Sequence, residues 1–509
     1  MQSKWLPVLS LVWASAVSAQ EEPADFQSMT AAELQDRVAA MQTEGFRNAC
    51  ATKVPLFTEL ARRNPSHPGI KALGLDAAAF CAFEEGRDAE GLRLLKQGER
   101  GLSSETFDRL GLYFANRLKD APEALARLRS LAATGQLGDI PPESIFAALD
   151  LIRRDGLREE LNEFAYQLTA TGGFAYLDFD VQGSLASGAL RHAAKIGDHS
   201  RVEELLAYDP NPVGFLILLY DNGYAPIWPQ VEAYAGDNLA NVSDAYVKVT
   251  AERLTEKPED RDRLSSYAHA LLFAGRFQEV VDVARNWRQE RGNLDGLEEG
   301  DAWSLNVEAF ALDALGRVSE ADQVFDQLAT LPADEFPWVV NFVINRGSRL
   351  VGQERWEEGL AASDLAWSVA DEHGSTYAKL LVARDRTCAL EHLGRGREAR
   401  RDIEFLLAHF DDYAPIATTG LLCVGRKAEA ERLLAGALSK QLPRGAVLNE
   451  MQDARFELFY TPSALPKARD IVLASPELSE EVMKDVRVIP DRFVPIAYLR
   501  RMQLAQRTP

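Results

Sequence analysis

The sequence predicts an all-α protein, a right-handed α-solenoid of antiparallel helix pairs. Three observations lead there. A short turn frame returns at intervals of roughly 30 to 40 residues, which is how repeat architectures are written. Each copy of the frame separates two apolar runs of helical length and phase. No segment sustains the apolar–polar alternation that a strand requires.

The N-terminus reads as a targeting segment. Lys4 precedes a short apolar run from Trp5 to Trp13, and Ala14 to Ala19 supplies small residues for a cleavage site. Residues 1–19 are therefore expected to be a secretory signal peptide, which makes the protein exported, periplasmic or extracellular. Beyond it no stretch of about 18 uncharged apolar residues occurs, so no transmembrane segment is expected in the mature chain.

Residues 20–208 read as an N-terminal block of degenerate helical repeats, with Gly86 and Gly197 as its best turns. Ser200 and Glu203 have the spacing of a capping box for the next helix. Thr171 to Ser187, with three glycines, reads as a loop. Residues 209–259 read as a junction, because Asp209 to Pro229 is crowded with Pro, Gly and aromatic residues.

The frame is clearest over residues 260–459. Gly275-Arg-Phe277-Gln-Glu-Val280 sets a glycine, a bulky residue two on and an apolar residue three further. Gly316-Arg-Val318-Ser-Glu-Ala321, Gly394-Arg-Gly396-Arg-Glu-Ala399 and Gly425-Arg-Lys-Ala-Glu-Ala430 follow it, and Gln353-Glu-Arg-Trp356-Glu-Glu-Gly359 is a looser copy. Glycine ends the first helix in the left-handed conformation, and the later small residue lets the second helix approach. One such hairpin cannot bury its apolar faces alone, so neighbours must stack. Residues 460–509, rich in proline, are expected to cap the last repeat with shorter helices.

These residues resemble the tetratricopeptide (TPR) family, most closely over about 260–440, although the tryptophan usual near the start of the first helix is mostly missing. The resemblance implies a protein- or peptide-binding scaffold or assembly factor, without catalysis. It also implies that first helices line a concave groove. Carried onto this sequence, His269, Trp303, Asn306, Phe310, Asp313 and Asn341 fall at groove positions. Trp303 and Phe310, two turns apart with Asn306 between them, would make an aromatic recognition patch. The same stripe, packed on the preceding repeat, would instead be core.

Composition narrows the partners. Asp and Glu total 77 against 56 Lys and Arg, a net charge of −21, which disfavours nucleic acid. From Thr376 onward the charges nearly balance, so the acidic excess lies in the first three quarters.

Four cysteines in an oxidising compartment can form disulfides. Cys50 and Cys81 are symmetric about the Asn64-to-Pro68 turn and would face each other in a hairpin. Cys388 and Cys423 lie in first helices of adjacent repeats, at heights that differ by roughly 6 Å of helical rise. All four could equally be small buried hydrophobes.

Other motifs carry less. Pro142-Glu143-Ser144-Ile145-Phe146 resembles the start of the lytic transglycosylase motif, with Glu143 as the acid/base, but the family's Gly-rich, Gln-containing loop does not follow. A cell-wall enzyme built on Glu143, or a glycan-binding solenoid, are the alternative functions. Asp178, Asp180 and Gln182 imitate half a calcium loop, whose twelfth position is Ala189 instead of Glu. Gly394-x-Gly396 imitates a dinucleotide fingerprint but follows a helix. No metal and no cofactor is predicted.

Overall fold

Backbone hydrogen bonding at one recurring turn organises the chain. The structure, a computed structural model, describes residues 26–43, 49–99, 105–291, 296–457 and 465–506. The expected signal peptide and its cleavage point lie outside the described residues. The described residues are overwhelmingly helical and contain no strand, only an isolated bridge between Asp221 and Val486. None of their helices is long and apolar enough to cross a membrane. The chain divides into two compact units, Met1–Ile196 and Gly197–Pro509.

In the first unit the pairs are Pro68–Glu84 with Asp88–Gly98, Glu105–Leu118 with Ala121–Ala133, and Pro142–Arg154 with Arg158–Ala170. Gly86, Lys119 and Gly156 turn them, each at positive φ. After each turn one amide reaches back five residues: Arg87 to the Ala82 carbonyl, Asp120 to Ala115, Leu157 to Ile152. This bond satisfies a carbonyl that the helix end would leave orphaned. Lys119 does this work without being glycine. Cys50 and Cys81 are bonded, with Cα atoms 4.7 Å apart.

The second unit repeats the device five times. Its pairs are Arg261–Phe273 with Phe277–Arg291, Glu299–Ala314 with Val318–Ala329, Val340–Gly352 with Trp356–His373, Thr376–His392 with Arg400–Ala408, and Ala414–Cys423 with Lys427–Leu438. The turn residues Gly275, Gly316, Glu354, Gly394 and Gly425 all have positive φ. An arginine follows each one and pairs with a glutamate three residues on, as in Arg276–Glu279 and Arg317–Glu320. Arg355–Glu358, Arg395–Glu398 and Arg426–Glu429 continue the series. These exposed pairs add little stability. The packing residues of the frame do more: Val280, Ala321, Ala399 and Ala430 are fully buried. Gly359 is needed for close approach, since a Cβ there would lie 2.7 Å from Val351 Cγ2. Cys388 and Cys423 are bonded across adjacent first helices, with Cα atoms 5.1 Å apart.

Two local readings are corrected, and one is extended. Thr171 to Ser187 is not a loop: a 3-10 turn at Gly173–Tyr176 leads into the helix Phe179–Ile196. Asp178 caps that helix by accepting from the Asp180 amide at 2.9 Å, and Gly188 permits close approach to Asn162. Ser200 does not cap; its hydroxyl donates to Asp198 at 2.6 Å, and the helix begins at Val202. The proline-rich C-terminal segment does more than sit on the last pair. It runs back to the start of its own unit, where the Arg487 amide donates to the Tyr220 carbonyl and the Asn222 amide to the Asp485 carbonyl, both at 2.8 Å. Arg487 covers the Trp228 ring at 3.5 Å, and Arg500 reaches the Ala274 carbonyl at 2.9 Å.

Asp76, in the helix Pro68–Glu84, is buried, and one carboxylate oxygen has no hydrogen-bond partner. Burial raises its pKa from 3.8 to about 6, and Lys53 offsets only part of this. The folded value lies above the unfolded one, so the ionised group penalises the native state above about pH 6. The penalty fades as pH falls through that value towards 3.8. Asp76→Asn should therefore stabilise the first unit at pH 7.5, by an amount on the order of 2 kcal/mol. Amide exchange of this helix, compared at pH 7.5 and near pH 4, checks it: the gain should be present at the first and absent at the second.

Candidate functional site

The groove positions inferred from the sequence divide into core and edge. Phe310 is 5% exposed and packs on Phe325 with ring centroids 5.9 Å apart. Asn306 is 2% exposed, and its Oδ1 accepts from Asn345 Nδ2 at 3.0 Å. Asp313 meets Arg349 through both carboxylate oxygens, one at 2.6 Å. Arg349, with no solvent contact, also donates to Asp322 at 2.6 Å. Burial raises the Asp313 pKa, and Arg349 opposes it. These three residues are therefore engaged inside the fold, and the patch expected between Trp303 and Phe310 is interrupted by packing. His269 is half-buried, its Nδ1 lies 2.9 Å from the Ser265 carbonyl, and burial lowers its pKa. Asn341 is half-buried in the first turn of the helix Val340–Gly352.

Trp303 keeps an edge to solvent and leads to a feature that crosses the helices. Its indole N–H donates to Glu299 at 3.3 Å, and its ring stands edge-on to Phe342 at 5.0 Å. Phe342 in turn meets Trp338 at 5.7 Å, just before its own helix. Tyr377 is the second residue of the next first helix, and Tyr413 immediately precedes the one after. Their rings meet edge to face, with centroids 5.1 Å apart. Four successive first helices thus each carry an aromatic residue within about one turn of the N-terminal end. Tyr377 is 46% exposed, and Trp303, Trp338 and Tyr413 are half-buried.

The row ends at a carboxylate. Glu450 follows the short helix Gln441–Asn449, touches solvent, and interacts with the Tyr413 hydroxyl. The protein around it displaces enough water to raise its pKa; Lys467 and Arg384 pull the other way, and Glu457 adds to the rise. Burial and the Glu450 charge also raise the Tyr413 pKa, so the phenol stays protonated and can donate. Behind them the buried Tyr220 hydroxyl donates to Asn449 Oδ1 at 3.0 Å. Residues 35 or more positions apart do not form a local pattern, which is why a search along single helices overlooks this row. Its one sequence signal is an aromatic residue beside each first-helix start.

Glu143 stands exposed in the first turn of Pro142–Arg154, and the adjacent Ser144 carbonyl accepts from Asn116 at 2.9 Å. Asp180 and Gln182 belong to a helix, with Gln182 Nε2 donating to the Phe174 and Leu177 carbonyls. No protein-family model matches the chain, and no curated protein matches its sequence.

Arg349→Met leaves Asp313 buried without its partner and should destabilise the second unit by about 3–5 kcal/mol, while Arg349→Met with Asp313→Leu should recover most of the loss. Urea unfolding of the three proteins checks this. A stable single variant would mean that Asp313 is free to serve a ligand.

Proposed function

We propose that the chain is an exported, non-catalytic scaffold or assembly factor that binds a protein or peptide. In this reading it is a right-handed α-solenoid of TPR-like helix pairs. The observation that carries it is the aromatic row from Trp303 through Trp338 and Tyr377 to Tyr413, with solvent-accessible rings at the ends of successive helices. Rigid aromatic side chains supply large contact area at small conformational cost, which is what a recognition surface needs. The five regular turns support the repeat reading. The two disulfides support export, since such bonds persist in oxidising compartments.

A photo-crosslinker placed at Tyr377 in the native envelope should give a discrete protein adduct. The same group at Leu365, exposed on a second helix, should not. Equal labelling from both positions refutes the site. N-terminal sequencing of the exported protein should begin at Gln20, and a retained Met1 refutes export. Release of cell-wall fragments by the wild type but not by Glu143→Gln would establish the enzymatic alternative.

A further inference from the structure

At the C-terminal end of the aromatic row, the structure brings together the side chains of Tyr377, Tyr413 and Glu450. Two rings meet edge to face, so ring surface is left uncovered, and Tyr377 is the more open. Glu450 lies beside Tyr413 and reaches solvent. Among the described residues no cation is within ion-pair distance of it. The two cations that act on its charge, Arg384 and Lys467, are committed elsewhere: Arg384 Nε donates to Asp385 at 2.7 Å and its Nη2 to Ser348 at 3.1 Å. Lys467 Nζ donates to Glu457 at 2.9 Å.

We infer that Tyr377, Tyr413 and Glu450 are a receptor for a cationic side chain, a lysine or arginine presented by a basic peptide segment of the partner. This rests on the peptide-binding reading above and names the partner's chemistry. A cation over a tyrosine face is attracted by the ring quadrupole, and a carboxylate beside the same pair of rings supplies the opposite charge. A guanidinium or ammonium would give Glu450 the partner that Arg384 and Lys467 do not. The attraction is local: charges from Thr376 onward nearly balance, and Glu450 is the carboxylate that a basic segment would meet there. Acidic or neutral segments gain none of these contacts.

The test titrates the full chain with a fluorescent hexa-arginine peptide, and with a hexa-glutamate peptide and a neutral Ser/Gly/Leu peptide of equal length. The arginine peptide should bind and the glutamate peptide should not. Glu450→Gln should weaken the arginine peptide about tenfold, and Tyr377→Ala about fivefold, since charge-assisted and cation–π contacts are of that order. Tyr377→Phe, which keeps the ring, should bind like the wild type. Asp334→Asn, a change at an exposed carboxylate that faces His373 instead of the two tyrosines, should leave binding unchanged. Circular dichroism confirms that each variant folds, and Tyr377→Phe against Tyr377→Ala keeps the ring test open if Glu450→Gln does not fold. Binding that falls equally with Asp334→Asn and Glu450→Gln would mean diffuse attraction and overturn the inference. Binding of the neutral peptide that none of these variants alters would also overturn it while leaving the scaffold reading in place. Failure of every peptide, together with no adduct from position 377, would sink both.

Discussion

Arg349 is the fixed point of the second unit. It belongs to the helix Val340–Gly352, has no solvent contact, and is held by Asp313 and Asp322 from the two helices of the preceding pair. Asp322 is shared with Arg355, the residue that follows the next turn. A planar guanidinium satisfies two carboxylates in few orientations, so the network sets both the height and the rotation of one pair on the next. Apolar burial is non-directional and would tolerate a slip between stacked hairpins. A buried ion pair of this kind adds little net stability, and its contribution here is register. Neighbouring junctions repeat the logic with other groups. Arg288 reaches the buried Glu308, Asn345 donates to Asn306, and Ser348 donates to the buried Asp385.

This explains which parts of the structure were legible in the sequence. Gly275, Gly316, Gly394 and Gly425 announce their turns because glycine accepts positive φ at little cost. Lys119 and Glu354 take the same conformation without announcing it. The Lys119 turn is still traceable, because Ala121 and Ala124 occupy the buried frame positions after it. Glycine misleads in the other direction at Gly183, which lies inside the helix Phe179–Ile196; the same helix carries Gly188, where close packing on Asn162 requires a missing side chain.

The candidate surface was harder to read than the fold for a related reason. A stripe such as Trp303, Asn306, Phe310 and Asp313 looks the same whether or not the next pair covers it. The cover is supplied by Asn345 and Arg349, some forty residues away, through contacts that no local period encodes. The aromatic row has the converse property. Its members share neither a helix nor a face, only the ends of successive first helices, and it exists only once those helices are stacked in register.

The ties around the row bear on how well it can bind. The helices that carry Tyr377 and Tyr413 are joined by the Cys388–Cys423 bridge. Glu450 follows a helix whose last residue, Asn449, is held by Tyr220, and whose Arg444 pairs with Glu481 and Asp485. Asp485 belongs to the returning C-terminal segment, which is bonded to Asn222 and, through Arg487, to Glu232. The last third of the unit is thereby fastened to its first helices. Ordering loops and side chains is a principal cost of association, and segments held by a covalent bridge and two ionic anchors have met much of it on folding. The same fastening therefore holds the tyrosines and the carboxylate in a fixed arrangement, the one that the proposed receptor requires.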